Sequence, residues 1–196
     1  MGIKKTLGLG VASAALGLSL IGGGTFAYFS STATSTATFA AGTLKLSSIP
    51  ETIVNLTNMK PGDYAVRNFA LKNDGTLDIK LLTLGTAYNV TDAKGDNASA
   101  DLGAHFKVKI LDSSYTSGPL AGHVLSEISL KDLKAITAYD LILNGAIPGG
   151  IAAGDTKNFK VAFEFVDNGQ DQNVFQGDGL SLTWTFNAFQ GIGEAK

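Results

Sequence analysis

Two segments near the C-terminus alternate large apolar residues with polar ones, and this alternation constrains the fold more than any other feature. In residues 159–165 every second residue is large and apolar. Residues 180–186 repeat the pattern with hydroxyl-bearing residues between the apolar ones. Because successive side chains of a β-strand point to opposite faces of a sheet, each segment predicts a strand with one buried face and one solvated face.

Less regular alternation predicts further strands at residues 105–110, 66–72 and 78–90. Turn sequences rich in Gly, Asn, Asp and Pro lie between the strands, at residues 60–63, 73–75, 94–97 and 153–155. We expect residues 73–75 to form a hairpin turn between the two neighbouring strands. The sequence therefore predicts a mostly β protein: a single antiparallel β-sandwich of the jelly-roll or immunoglobulin-like kind, with one or two short helices and an extended N-terminal arm.

Residues 126–141 depart from the strand pattern, because their large apolar residues recur at mixed spacings. A short helix over residues 130–135 fits this segment, with Ser129 as its N-cap. We expect it to lie in a crossover packed on a sheet edge.

The N-terminus has the organisation of a secretory signal. Lys4 and Lys5 precede an apolar run at residues 7–21, and small residues lead up to Ala27. The run is about 15 residues long, whereas a membrane-spanning helix needs roughly 20, so an uncleaved anchor is the weaker alternative. We predict cleavage between Ala27 and Tyr28, and secretion to the cell surface or extracellular matrix. The expected organisation is a signal peptide at 1–27, an arm or donor strand at 28–43, and the sandwich at 44–196.

Composition excludes several classes of function. The chain has no cysteine, so it has neither a disulfide framework nor a thiol nucleophile. Its net charge is −2, and loss of the two signal-peptide lysines makes it about −4. This balance argues against nucleic acid and against anionic membranes as partners.

The start of the mature chain carries β-prone threonines but few side chains large enough to anchor in a core. It could be a flexible terminus, which is the usual state of chain ends. Alternatively, it could be an extended arm that pairs with a sheet edge of a neighbouring molecule. The candidate assembly residues are Tyr28, Phe29, Thr32, Thr34, Thr36, Thr38 and Phe39.

Several separate blocks, in order and spacing, resemble the TasA and camelysin group of bacterial cell-envelope and biofilm-matrix proteins, and camelysin most closely. The blocks are residues 7–17, 22–30, 38–44, 56–63, 163–167, 176–178 and 182–187. The resemblance implies a jelly-roll-like sandwich, cleavage by a dedicated signal peptidase, and extracellular fibres in which the N-terminal strand of one subunit completes the sheet of the next. The partners it implies are other copies of this chain in a head-to-tail homopolymer, the peptidase, and a minor matrix or anchoring protein. The chain is shorter than the family's fibre former and lacks its Lys-rich tail.

Camelysin-like proteins are commonly classed as metalloendopeptidases, which raises the question of a zinc site. The chain has no His-Glu-x-x-His motif and only two histidines. The weak zinc candidates are His105, His123 and Glu127, although a solvated strand-end role for His105 is the simpler interpretation.

An acidic loop offers a weak calcium site through Asp167, Asp171 and Asp178, since carboxylates suit this cation. The loop departs from an EF-hand, however, because Gln172 stands where glycine is required. A polar connection between two buried strands is the simpler interpretation. We expect no cofactor, with zinc or calcium as alternatives.

Three functions remain. The preferred one is a non-enzymatic matrix protein that polymerises through its N-terminal arm. The alternatives are a casein-cleaving envelope metalloendopeptidase and a monomeric surface adhesin.

Overall fold

The structure is a computed structural model, and it describes residues 30–32, 43–49 and 53–191. These residues form two antiparallel sheets with one α-helix and two short 3₁₀ turns. The strands are β1 (Ser30–Thr32), β2 (Leu46–Ile49), β3 (Ile53–Thr57), β4 (Tyr64–Asn73), β5 (Ile79–Thr91), β6 (Phe106–Leu111), β7 (Val124–Ser129), β8 (Tyr139–Asp140), β9 (Thr156–Phe165) and β10 (Gly179–Gln190). The helix is α1 (Leu130–Ala135), and the 3₁₀ turns are Leu102–Ala104 and Asn173–Phe175.

The first sheet is centred on β10. Strand β5 pairs with β10 over its whole length, and β8 follows β5 at the far side. Strands β3 and β1 share the other edge of β10, one after the other. The second sheet has the order β2-β4-β9-β6-β7. The predicted mostly β, sandwich-like fold is confirmed.

The core lies between the sheets and is built by the two alternating segments that the sequence singled out. Their large apolar residues are buried, as the alternation predicts: Phe159, Val161, Phe163 and Phe165 on β9, and Leu180, Leu182, Trp184 and Phe186 on β10. The ring of Trp184 joins the sheets, because its centroid lies 5.0 Å from that of Phe69 and 5.5 Å from that of Phe163.

The predicted hairpin at residues 73–75 is wrong. Strands β4 and β5 belong to different sheets, so the connection crosses between the sheets. The place beside β4 is taken by β2, and the backbone N–H of Asp74 donates to the carbonyl of Lys45 in the segment leading into β2. The turn residues correctly marked a change of direction, but they carried no information about which strand pairs with β4.

The predicted helix and its cap are confirmed. The Ser129 side chain accepts a hydrogen bond from the Asp132 backbone N–H at 3.0 Å, which satisfies a donor that the first helical turn leaves free. Leu130 and Leu133 are fully buried. The helix contacts β5, β6 and β7, and it therefore lies at the side of the sandwich as a crossover element.

A loop at residues 112–123 folds over the outer face of the second sheet. Its Tyr115 and Leu120 pack against Ala162 of β9 in a small cluster separate from the main core. The hydroxyls of Tyr64 and Tyr115 both donate to the carbonyl of Gly118, at 2.7 and 3.0 Å. The loop is thus attached to the sheet by apolar and polar contacts.

Candidate assembly site and the predicted metal ligands

Residues 30–32, which form β1, lie along an edge of the first sheet. Ser30, Ser31 and Thr32 pair antiparallel with Phe189, Ala188 and Asn187 of β10. The edge is shared, because β3 pairs with Gly179 to Thr183 of the same strand. Within the described parts of the chain, residues 184–186 between these two pairings have no partner strand on this side.

The β1 pairing is short enough to be marginal. A pair of three residues forms about three backbone hydrogen bonds, which contribute a net ~1.5–4.5 kcal/mol at ~0.5–1.5 kcal/mol each. Fixing the backbone of three residues costs ~3–6 kcal/mol at ~1–2 kcal/mol each. The two terms nearly cancel, so the net free energy of the β1 pairing is small.

Only part of the predicted arm lies within the described residues. Thr32 is the last residue of β1 and pairs with Asn187. The predicted cleavage site at Ala27 and Tyr28 lies outside the described residues. The same holds for the other candidate assembly residues, Phe29, Thr34, Thr36, Thr38 and Phe39.

The three zinc candidates are not brought together. His105 immediately precedes β6, whereas the carbonyl of His123 accepts from Asp112, just past the other end of that strand. Six strand residues separate the histidines by roughly 20 Å. Glu127 lies between these ends, and its carboxylate pairs with the amines of Lys107 and Lys109 at 3.7 and 3.5 Å.

Each histidine has its own local partners. His105 Nδ1 lies 3.1 Å from the Gln172 side-chain amide nitrogen, and its ring packs on Phe175 with centroids 4.7 Å apart. His123 Nδ1 lies 3.1 Å from an Asp112 carboxylate oxygen. Across residues 30–32, 43–49 and 53–191, no three His, Asp or Glu side chains lie close enough together to hold one metal ion.

The calcium candidates are also spread out and engaged with the backbone. Asp167 and Asp171 each accept from the backbone N–H two residues on, at 2.9 Å, as loop-stabilising Asx turns do. Asp178 is buried and faces a different loop, where it accepts from the Ala93 backbone N–H at 2.9 Å and from the Asn97 side chain at 2.7 Å. Asp178 therefore connects loop 92–97 to the end of loop 167–178.

A cluster that the sequence analysis did not identify contains Asp112, Ser114 and His123. The Ser114 hydroxyl donates to Asp112 at 2.6 Å, and it lies 3.3 Å from His123 Nδ1. In a catalytic triad the serine and the aspartate use opposite nitrogens of the imidazole, whereas here both approach Nδ1. The cluster holds together the base of loop 112–123. The Ser114 hydrogen bond, with help from His123, lowers the pKa of the Asp112 carboxyl.

Among the residues described, none forms a helix long and apolar enough to cross a lipid bilayer.

A two-sheet antiparallel sandwich whose N-terminal strand lies on a shared sheet edge defines the structural class of this protein. The chain matches the family described as camelysin metallo-endopeptidase over residues 2–195, and it belongs to that family. It is also 42% identical over 147 residues to the Major biofilm matrix component of Bacillus subtilis (strain 168). That match covers 70% of this chain and 55% of the relative, so the chain spans about half the relative's length. The predicted membership of the TasA and camelysin group is confirmed.

Proposed function

We propose that this protein is a secreted structural component of a biofilm matrix, and that it assembles into fibres by donating its N-terminal strand to the next subunit. The observation that carries the proposal is the pairing of β1 with the β10 edge of the same chain, which supports a role for this edge in binding the N-terminal strand. The similarity to a Major biofilm matrix component supports the matrix role.

Assembly requires only that β1 leave its own β10 and pair with the β10 of another copy. The exchanged pair has the same residues and register as the intramolecular one, so the pairing itself costs little. The arm suits this exchange because no charged residue occurs between Lys5 and Lys45. A contact between two different patches does not close on itself, and repetition of it produces a filament.

Cleavage after Ala27 has a role in this scheme. It releases Tyr28 as a free N-terminus, whereas an uncleaved signal would keep the arm tethered at the membrane. We expect purified precursor, with residues 1–27 retained, to form no fibres. Fibres of the precursor as abundant as those of the mature protein would contradict this role for cleavage.

Deletion of residues 28–38 tests the proposal. We expect mature protein 28–196 to form fibres under negative-stain electron microscopy, and the shortened protein to remain monomeric. Thermal melting followed by circular dichroism checks that the shortened protein is folded. The Thr32→Ser variant is the matched control, since it keeps the backbone of β1, and it should polymerise normally. Undiminished fibres from the shortened protein would exclude assembly through the arm.

A metalloendopeptidase is the second candidate function, and the family description favours it. Its test uses the two histidines of the chain. Casein cleavage by pure protein that is sensitive to chelators, and that is lost in both His105→Ala and His123→Ala, would support it. Cleavage that persists in both variants would exclude these histidines as zinc ligands.

A monomeric adhesin is separated from the fibre-forming protein by analytical ultracentrifugation. Mature protein with an intact arm that sediments as a monomer at every concentration would favour the adhesin over the fibre.

A further inference from the structure

The chain contains two Asn-Gly pairs, Asn144-Gly145 and Asn168-Gly169, and the fold holds them in different ways. In such a pair the backbone nitrogen of glycine can attack the side-chain amide carbon of asparagine, because glycine has no Cβ to hinder the approach. The attack closes a five-membered succinimide ring and expels ammonia. Which pair reacts depends on the groups that surround each one.

The Asn168-Gly169 pair lies in the loop between β9 and the 3₁₀ turn Asn173–Phe175. Residues 167–170 are all exposed. Gly169 has a φ of 70°, a left-handed conformation that glycine adopts without strain. Water therefore reaches the pair freely, and departing ammonia can escape from it.

A carboxylate is placed to accept the proton of the attacking nitrogen. The Gly169 backbone N–H donates to Asp167 Oδ1 at 2.9 Å. A general base must lie within about 2.6–3.2 Å of the atom whose proton it removes, and Asp167 meets this requirement. The hydrogen bond that stabilises the loop as an Asx turn thus also aligns a base with the nucleophile.

A backbone donor is placed on the carbonyl group that is attacked. The Gln170 N–H donates to Asn168 Oδ1 at 2.9 Å. Ring closure places negative charge on this oxygen in the tetrahedral intermediate, and a donor about 2.7–3.1 Å away stabilises that charge. Four consecutive residues therefore supply a base, an electrophile, a nucleophile and an oxyanion donor.

The Asn144-Gly145 pair lacks the base. The Gly145 N–H donates to the Ile142 carbonyl at 3.2 Å, and a carbonyl does not accept this proton. The Asn144 amide nitrogen, which would have to leave as ammonia, donates to the Asp140 carbonyl at 2.7 Å. The Asn144 carbonyl also accepts from the Ser126 hydroxyl at 3.1 Å. Asn144 and Gly145 are both half-buried, so this pair is held in place and serves as an internal control.

We propose that Asn168 is a site of spontaneous modification, at which the folded chain converts this asparagine to isoaspartate and aspartate through a succinimide. The Gly169 nitrogen bonds to Asn168 Cγ, and its proton passes to the Asp167 carboxylate. Asp167 returns the proton to Nδ2, the Cγ–Nδ2 bond breaks and ammonia leaves. Water then opens the ring at either carbonyl and produces an acid. This inference does not depend on the proposed function.

The modification changes the charge and the backbone of the loop. Each event adds a carboxylate to a segment that already exposes Asp167 and Asp171. The isoaspartate product also carries one more backbone carbon, so the hydrogen bonds of Gly169 and Gln170 cannot keep their present geometry. The reaction consumes only water and requires neither an enzyme nor a cofactor.

The test follows both pairs in one sample. Trypsin cuts after lysine, which leaves Asn144 in the peptide 135–157 and Asn168 in the peptide 161–196. Purified protein is incubated in H₂¹⁸O at neutral pH, and the peptides are sequenced by mass spectrometry. We expect Asn168 to gain ¹⁸O and to yield isoaspartate together with aspartate, at least tenfold faster than Asn144. Equal rates at the two pairs, or aspartate without isoaspartate, would overturn the proposal.

Unfolded protein separates the effect of the fold from that of the local sequence. In urea both pairs lose their folded contacts, so we expect the rates at Asn144 and Asn168 to become similar. A difference between the pairs as large in urea as in the folded protein would show that neighbouring sequence selects Asn168. That result would also overturn the proposal.

Two variants test the base. Asp167→Asn keeps an oxygen that accepts the Gly169 N–H but removes the basic carboxylate, so the rate at Asn168 should fall at least tenfold. Asp171→Asn is the matched control, because Asp171 accepts from the Asn173 N–H at 2.9 Å in the same way and its loss changes the loop charge equally. This variant should react at the wild-type rate. An unchanged rate in Asp167→Asn, or an equal loss in both variants, would overturn the proposal.

Discussion

Ser31 lies directly opposite Ala188 in the antiparallel pair of β1 and β10. Directly paired residues have Cα atoms about 4.5–5.5 Å apart, within the range of disulfide-bonded cysteines. The chain has no cysteine of its own, so the double variant Ser31→Cys, Ala188→Cys forms one defined bridge. We expect oxidised monomer to hold β1 on its own sheet and to form no fibres, and reductant to restore assembly.

The same variant reports on the fibre. When reduced protein assembles first and is then oxidised, the exchange model predicts disulfides between subunits, seen as a ladder on a non-reducing gel. A matched control is the pair Ala87→Cys, Thr183→Cys, which are exposed and lie opposite each other on β5 and β10. Its bridge should leave assembly unchanged. Full polymerisation of the oxidised arm-locked monomer would refute strand exchange at this edge.

The sequence predicted individual elements better than the pairing between them. Alternation located β9 and β10 because one buried face imposes a period of two, and the Ser129 cap located α1 because its hydroxyl acts on the adjacent turn. The pairing of Ser31 with Ala188 joins segments more than 150 residues apart in the chain through a backbone ladder, which leaves no local signal in the sequence. The incorrect hairpin at residues 73–75 has the same origin, because partner choice depends on distant β2.

Asn73 should be the most sensitive polar residue of that crossover. It is fully buried, its amide donates to the carbonyls of Leu77 and Ile151 at 2.8 and 3.1 Å, and its oxygen accepts from the Gly75 N–H at 3.0 Å. The Ile151 carbonyl also accepts from the Ile79 N–H at 2.8 Å, so Asn73→Leu leaves two backbone groups unpaired, the Gly75 N–H and the Leu77 carbonyl, at ~1–3 kcal/mol each. We expect a loss of at least ~2 kcal/mol in the free energy of unfolding, measured with urea.

The matched control for Asn73 is Asn68→Leu on the same strand. Asn68 is exposed, and we expect a change within about 0.5 kcal/mol, as for ordinary surface substitutions. Equal effects at the two positions would show that the buried hydrogen bonds of Asn73 contribute little.

Thr86 offers a stabilising substitution. Thr86 lies opposite Trp184 of β10. Within the described residues, the buried hydroxyl of Thr86 has no hydrogen-bond partner, and neither has the buried indole N–H of Trp184. Thr86→Val removes the unpaired hydroxyl at nearly constant shape and should raise the free energy of unfolding by about 1 kcal/mol. Thr86→Ser keeps the hydroxyl, loses a methyl group and should be destabilising. A lower melting temperature for Thr86→Val than for wild type would show that the hydroxyl has a partner.

The candidate sites were less predictable than the fold, for a related reason. The sequence offers Asp178 only as a weak calcium candidate, because it follows other acidic residues, whereas its hydrogen-bond partner Asn97 lies 81 residues away. The spacing of candidate ligands in the sequence predicts a metal site only when those ligands lie on one helix or in one loop. No sequence pattern indicates the cluster of Asp112, Ser114 and His123, because loop 112–123 must close before its two ends meet.

The Asp112 cluster predicts how stability depends on pH. The Ser114 hydroxyl, followed by His123, holds the pKa of the Asp112 carboxyl below its ordinary value of 3.8. A carboxyl with a lowered pKa in the folded state contributes stability that is fully present above its unfolded pKa and is lost as pH falls through the folded one. This contribution should therefore be present at pH 5 and should fade below about pH 4.

We expect the urea midpoint of wild-type protein to fall between pH 5 and pH 3, and the Asp112→Asn variant to show a smaller fall, because it has no carboxyl to protonate at this position. Asp96→Asn is the control, since Asp96 is exposed and its carboxylate accepts no hydrogen bond within the described structure. That variant should follow the wild-type curve. An equal fall of the urea midpoint in wild type and in Asp112→Asn would show that protonation of other carboxyls accounts for the acid sensitivity. It would also show that the closure of loop 112–123 does not depend on the charge of Asp112.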